Sequence, residues 1–180
     1  MRARRILFLL PALAVLAIVA ALAGCGTKQG TSVAEGQPVQ LGDLQYNVEF
    51  SRFLNPDDVE DHEYLIGQPP SGPDQLYLGI FVQILNKNKD SAVNIPSGWT
   101  ITDTTHQNYY PLPSKSPYAL ALGAPIGPED QVPALDSTPQ VGPIEGSLVL
   151  FSIPTAANEN RPLTLQIPGQ GGPAEITLDL

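Results

Sequence analysis

At 180 residues the chain has the length of a single domain. It carries 9 Lys+Arg against 18 Asp+Glu, a net charge of −9, which argues against partners that present phosphate, whether nucleic acid or anionic headgroups. A single cysteine excludes an intramolecular disulfide, and 19 prolines and 16 glycines leave little room for long helices.

Arg2, Arg4 and Arg5 precede an apolar run from Ile6 to Ala23, broken only by Pro11. A basic start, an apolar stretch and small residues before a cut mark a secretory signal. The run is long enough to span a bilayer uncleaved, but the small pair Ala23-Gly24 directly before Cys25 favours cleavage. Arg4-Arg5 lacks the flanking residues of the twin-arginine route, so general export fits better. Leu22-Ala23-Gly24-Cys25 resembles the bacterial lipobox. That resemblance implies that residues 1–24 are removed and that Cys25 is the lipid attachment site, held at the extracytoplasmic face of the cell membrane. A thioether would also remove the reactive lone thiol. Without residues 1–24 the chain keeps 6 basic against 18 acidic side chains, a charge of −12.

Residues 25–37 are small and polar with no apolar period, and read as the lipidated N-terminus and a flexible tether. The twelve residues from 26 to 37 reach at most roughly 40 Å. From Pro38 onward the pattern is β. Leu44 to Phe50 alternates apolar and polar residues strictly, as a half-buried strand does. Gln75 to Asn86 is apolar at nearly every position and reads as a central strand buried on both faces. Residues 86–91 form a turn. Trp99 to Thr102 reads as a strand leading through a polar hairpin loop, 103–108, to Tyr109-Tyr110. Segment 111–143 carries eight prolines and reads as a long ordered loop wrapped over the sheets. Gly146 to Ile153 is a strong strand, and 163–167 with 174–180 makes the last hairpin. About seven strands with proline-rich connections predict an all-β, antiparallel sandwich over residues 38–180.

The strand motifs at Leu41–Val48, Leu78–Asn86, Thr102-Asp103 and Gly146–Phe151, with a terminal Leu-Asp-Leu, resemble the telokin-like, immunoprotective-extracellular-protein type of bacterial lipoprotein. The resemblance implies an immunoglobulin-like β-sandwich behind a lipidated tether. The chain departs from antibody-type domains in lacking paired cysteines and in an insert at 55–74. The resemblance brings no activity with it.

No nucleophile elbow, zinc helix or phosphate loop is present. His106, in the polar loop, reads as a solvated histidine. Residues 55–63 hold five carboxylates and His62. They read as a short capped helix with Asn55 at the N-cap, Pro56 in the first turn, and Glu60, Asp61 and Glu63 on a solvated face. The sharper alternative is a hard-cation site, although the spacing lacks the EF-hand pattern. Tyr46 and Tyr77 belong to predicted strands and to the core, whereas Tyr64, Tyr109 and Tyr118 are candidates for an exposed aromatic surface, with ordinary packing favoured. No catalytic, metal or cofactor residue follows from this reading. The function it predicts is a non-catalytic, membrane-anchored interaction module that meets an envelope protein or polymer and no nucleic acid. The alternatives are a cation- or small-ligand-binding envelope protein and an accessory domain of a hydrolase. The chain is too short and too β-rich for the two lobes of a solute-binding lipoprotein.

Overall fold

The computed structural model describes residues 31–180. The expected signal peptide, Cys25 and residues 26–30 of the expected tether lie outside the described residues. Twelve strands follow in chain order: β1 (Thr31–Ala34), β2 (Val39–Leu41), β3 (Leu44–Leu54), β4 (Gln75–Asn86), β5 (Val93–Asn94), β6 (Thr100–Thr102), β7 (Asn108–Tyr109), β8 (Pro125–Ile126), β9 (Gln131–Val132), β10 (Ser147–Pro154), β11 (Thr164–Ile167) and β12 (Ala174–Thr177). The sequence yields about seven. The additional five, β1, β2, β5, β8 and β9, have two to four residues each and too little length for a period to show.

Two mainly antiparallel sheets face each other, as the immunoglobulin-like reading expects. One has the order β1-β12-β11-β6-β7 and the other β10-β4-β3-β2, with β9 on the end of β4. The core between them is filled by alternate residues of each strand. Tyr46, Val48, Leu78, Ile80, Val82, Val149 and Phe151 come from one sheet, and Ile101, Leu165, Ile167 and Ile176 from the other. Trp99, just before β6, meets Tyr46 edge-to-face at 5.9 Å between ring centroids, which ties the sheets together across the core.

β4 is buried on both faces, as its unbroken apolar run predicts, and the second face has its own cover. Tyr77 and Phe81 point away from the main core. With Leu54, Leu148 and Leu150 they form a second cluster, roofed by Tyr64 and Leu65 of the 55–67 segment and by Tyr118. The insert is therefore a lid over half of the outer face of this sheet.

Two expectations need correction and a third is extended. The alternation at 44–50 places Phe50 inside, yet Phe50 is 44% exposed. A β-bulge at Glu49 is the cause: Val48 pairs with Val82 and Phe50 with Phe81, so one extra residue shifts the side chains that follow. Phe50 turns outward and Ser51 inward. The second correction concerns the tether. Thr31–Ala34 form β1, parallel to β12, with Thr31 opposite Ala174 and Ala34 opposite Thr177. Glu35 continues the attachment: its carboxylate accepts from Ser51 N at 2.9 Å, from Ser51 Oγ, and from Asp179 N at 3.2 Å. Residues 31–36 thus belong to the domain. The third concerns 111–143, which is ordered and wraps the sheets as read. It also pairs with one of them, through β9 on β4 and bridges from Pro111 and Ala119 to β10, and its β8 makes a separate two-stranded sheet with β5.

Candidate functional site

The acidic segment folds by pairing its own carboxylates with backbone. Asn55 Oδ1 accepts from Asp57 N at 3.0 Å, and Asp58 Oδ1 accepts from Glu60 N at 3.0 Å, capping a 3-10 turn at Val59–Asp61. The expected helix with Asn55 as its cap is replaced by two short turns. Asp61 is the clearest departure from the solvated face, because it is 2% exposed. It is ion-paired to Arg52 of β3 and accepts from Asn55 N at 2.7 Å. His62 Nε2 meets the Pro56 carbonyl at 3.0 Å. Glu63 lies at the roof, where its carboxylate accepts from Tyr118 Oη at 3.1 Å and its carbonyl from Ser116 Oγ at 2.7 Å. Burial, and then that carboxylate, push the Tyr118 phenol above its ordinary value. Among the described residues no three His, Cys, Asp or Glu side chains come together as a metal cluster.

The three tyrosines take the ordinary packing that the sequence favours, not an exposed surface. Tyr64, Tyr118 and Tyr109 are all buried. Tyr64 packs between Phe81 and Tyr118 at 5.2 and 4.7 Å. Tyr109 Oη donates to the buried Asp103 carboxylate at 2.8 Å. That carboxylate also accepts from Thr105 N, Thr105 Oγ1 and Gln107 N, at 2.8, 2.7 and 3.1 Å. Burial raises the Asp103 pKa, but these bonds to its charged form outweigh it and hold the carboxyl at about 2. Burial and the same contact push the Tyr109 phenol up to about 12. The loop at 103–108 is thus built around Asp103. His106 is exposed, with the left-handed φ of 64° that a tight turn demands. Tyr110 alone of these tyrosines reaches solvent, at 65% exposure.

Tyr110 stands at a cleft of about 450 Å³ along the outer edge of β10. Local chemistry opens it. The chain crosses from β7 to β10, and Leu112 N donates to Leu150 O at 2.7 Å. It leaves at Pro113 and returns where Leu148 N donates to Tyr118 O at 2.7 Å. Pro111 and Pro113 have no N–H to continue the ladder, so the segment bows away and leaves a gap floored by Leu148–Leu150 and walled by Trp99 and Leu112. Ser97, Ser114 and Tyr110 supply its polar side-chain atoms. No carboxylate, imidazole, amine or thiol lines it. Such a cleft can hold an uncharged chain, and its lining has no acid or base to move a proton near neutral pH.

A second, shallower groove of about 240 Å³ lies on the half of the outer face that the lid leaves open, between β3, β4 and β9. Gln45, Asn47, Gln83 and Gln131 line it. In the sequence Gln45 and Asn47 are the polar positions of an alternating strand, Gln83 interrupts an apolar run, and Gln131 falls in the proline-rich segment. The available signal was that positions 45, 47 and 83 all carry amides and none carries a charge. No helix among the described residues is long and apolar enough to cross a membrane. Cys25, the lipid-attachment expectation, lies outside the described residues.

No family model matches the chain, and no curated protein matches it. Among solved structures it is similar to an uncharacterised β-sandwich protein from Clostridium difficile 630. The identity is 13%, the TM-score 0.52, and the match covers 85% of this chain and 97% of that one. It is also similar to the yjhA protein from Bacillus subtilis, at 14% identity and a TM-score of 0.44, over 83% of this chain and 99% of that one. The first likeness shows a β-sandwich and nothing finer.

Proposed function

We propose that this β-sandwich is a non-catalytic binding module of the telokin-like immunoglobulin type, held at the extracytoplasmic face of the cell membrane by lipid on Cys25. It takes an envelope protein or polymer into the cleft along β10. The observation that carries the binding half of this reading is the lining of that cleft. Over a floor of buried Trp99 and Leu148–Leu150 it offers Tyr110, prolines, half-buried Leu112 and Leu122 and a few hydroxyls, and no group that titrates near neutral pH. Exposed Tyr110 is the natural anchor, since aromatic side chains at a rim contribute much of the binding energy of an interface. The anchoring half rests on Leu22-Ala23-Gly24-Cys25 behind an apolar run.

Two measurements test the two halves separately. Metabolic labelling with an alkyne fatty acid should mark the wild-type chain and leave Cys25→Ala unlabelled, and label retained by Cys25→Ala refutes the anchor. A photo-crosslinking residue placed at Tyr110 should give a discrete adduct on intact cells. The same residue at Val141, which is exposed elsewhere, should not. Identical adducts from both positions refute the cleft as the binding site.

A further inference from the structure

We propose that the open half of the outer sheet face is a second binding site, separate from the cleft along β10, and that it takes one ring of an uncharged saccharide.

Register builds the site. Asn47 of β3 lies opposite Gln83 of β4, Gln45 opposite Leu85, and Leu85 opposite Gln131 of β9. Residues opposite one another in an antiparallel pair point to the same face. Three strands therefore set Gln45, Leu85 and Gln131 in one row and Asn47 and Gln83 in the next. Neighbours sit about 5 Å apart across the strands and about 7 Å apart along them. An apolar floor at Leu85 is thus ringed by four primary amides, with Pro38 and Val132 at the border.

The chemistry of that ring selects the ligand. Each amide both donates and accepts, which suits hydroxyl groups that do the same. No lining side chain is charged, so the lining itself has nothing to pair with a carboxylate or a phosphate, and the one adjacent carboxylate, Glu49, is taken up by Asn47. Asn47 adds the most specific feature. Its Nδ2 donates to Glu49 Oε1 at 2.5 Å, which fixes the orientation of the amide. Its Oδ1 is left buried without a hydrogen-bond partner. That atom is closed to solvent, so a ligand hydroxyl reaches it only once the Asn47 side chain turns toward the groove. Gln131 Nε2 is engaged by Pro133 O at 3.2 Å, which leaves Oε1 free to accept. Pyranose rings match this arrangement, with C–H faces for Leu85 and Pro38 and a rim of hydroxyls for the amides. At about 240 Å³ the groove is smaller than sites for drug-sized ligands. It therefore suits one ring of a chain whose ends leave through the open sides.

The test is calorimetric titration of the full chain in detergent with cellotriose, maltotriose, xylotriose and chitotriose at millimolar concentration, with an uncharged proline-rich peptide alongside. At least one trisaccharide should bind saturably. The Gln45→Ala, Gln83→Ala double variant should weaken that binding about tenfold or more, the loss of two hydrogen bonds. Both glutamines are half-buried, so the variant should keep the wild-type circular dichroism spectrum. Gln83→Glu, which adds charge without removing bulk, should weaken binding too. Three results overturn the proposal: no trisaccharide binds; the peptide binds in place of every trisaccharide; or saccharide binding survives the glutamine variants and is lost with Tyr110→Ala. The last result would move the ligand into the cleft along β10 and leave the proposed function standing.

Discussion

Glu35→Ala should cost this domain much more than an acidic residue in a polar leader normally would. In the wild type, one Glu35 carboxylate oxygen accepts from Ser51 N and the other from Ser51 Oγ and Asp179 N. Ser51 is 2% exposed, so its N–H cannot turn to water when the carboxylate is removed. The exposed Asp179 amide can, and contributes little. An orphaned buried donor costs about 1–3 kcal/mol, with the upper half expected where the lost acceptor was charged. For a domain near 150 residues that corresponds to about 4–10 °C in melting temperature. The assay is urea and thermal unfolding of wild type, Glu35→Ala, Glu35→Gln and Ser51→Ala. Glu35→Gln keeps one acceptor and should lose less than half as much. The double variant Glu35→Ala, Ser51→Ala should fall short of the sum of its parts, because the two side chains share one interaction. A fragment beginning at Gln37 lacks β1 and Glu35 together and should be less stable than any of these. A melting shift below a degree for Glu35→Ala, with additive double-variant energies, would refute the claim that residues 31–36 are structural.

Asp103 should give the domain an acid-sensitive edge. Its carboxyl sits at about 2 against an ordinary 3.8. A carboxyl lowered in the folded state stabilises the fold fully above its unfolded value and loses that contribution as the pH falls through the folded one. The gap in urea midpoint between wild type and Asp103→Asn should therefore be constant at neutral pH and close between about pH 4 and pH 2. Asp61→Ala should loosen the lid at 55–67, because it frees Asn55 N and leaves Arg52 unpaired. We expect about 1–3 kcal/mol, moderated by the partial exposure of Arg52, and faster proteolysis within the lid. Calcium at millimolar concentration should leave the wild-type melt unchanged, since Asp61 is already committed to Arg52. A calcium-specific rise that vanishes in Asp57→Asn would contradict this. Ile80→Asp should abolish cooperative unfolding, because an unpaired charge at a fully buried position costs on the order of the whole stability of a domain.

The long strands were legible in the sequence because each buries enough side chains to show its period. β4 and the β11–β12 hairpin fall where the pattern puts them. β1 was not legible because it half-buries Val33 and leaves its other three residues exposed. A strand with one inward residue has no period, and its partner lies at the far end of the chain. The bulge at Glu49 was hidden because 44–50 alternates without a break, and the extra residue is visible only in the pairing with β4. Tyr64 and Tyr118 pack in the ordinary way that was favoured, but what covers them was not legible. They are covered by each other and by the outward face of Phe81, in a layer built from an insert and a proline-rich loop that have no pattern of their own. The amides of the open groove showed in the sequence only as uncharged positions 45, 47 and 83, and register is what places three strands side by side and brings Gln131 to them.

The parallel pairing of β1 with β12 has a mechanical consequence. β1 begins the described residues at Thr31 and runs alongside β12, four residues against four. If Cys25 is anchored as proposed, residues 26–30 span at most about 17 Å, so a pull on the domain reaches β1 almost directly. Tension along that strand loads the four pairs in shear, all at once, where a hairpin pulled at its open end would unzip one pair at a time. The Glu35 contacts to Ser51 and Asp179 lie just beyond the pairs and share the load with both sheets. The attachment point should therefore resist extension up to a threshold and then fail as a unit.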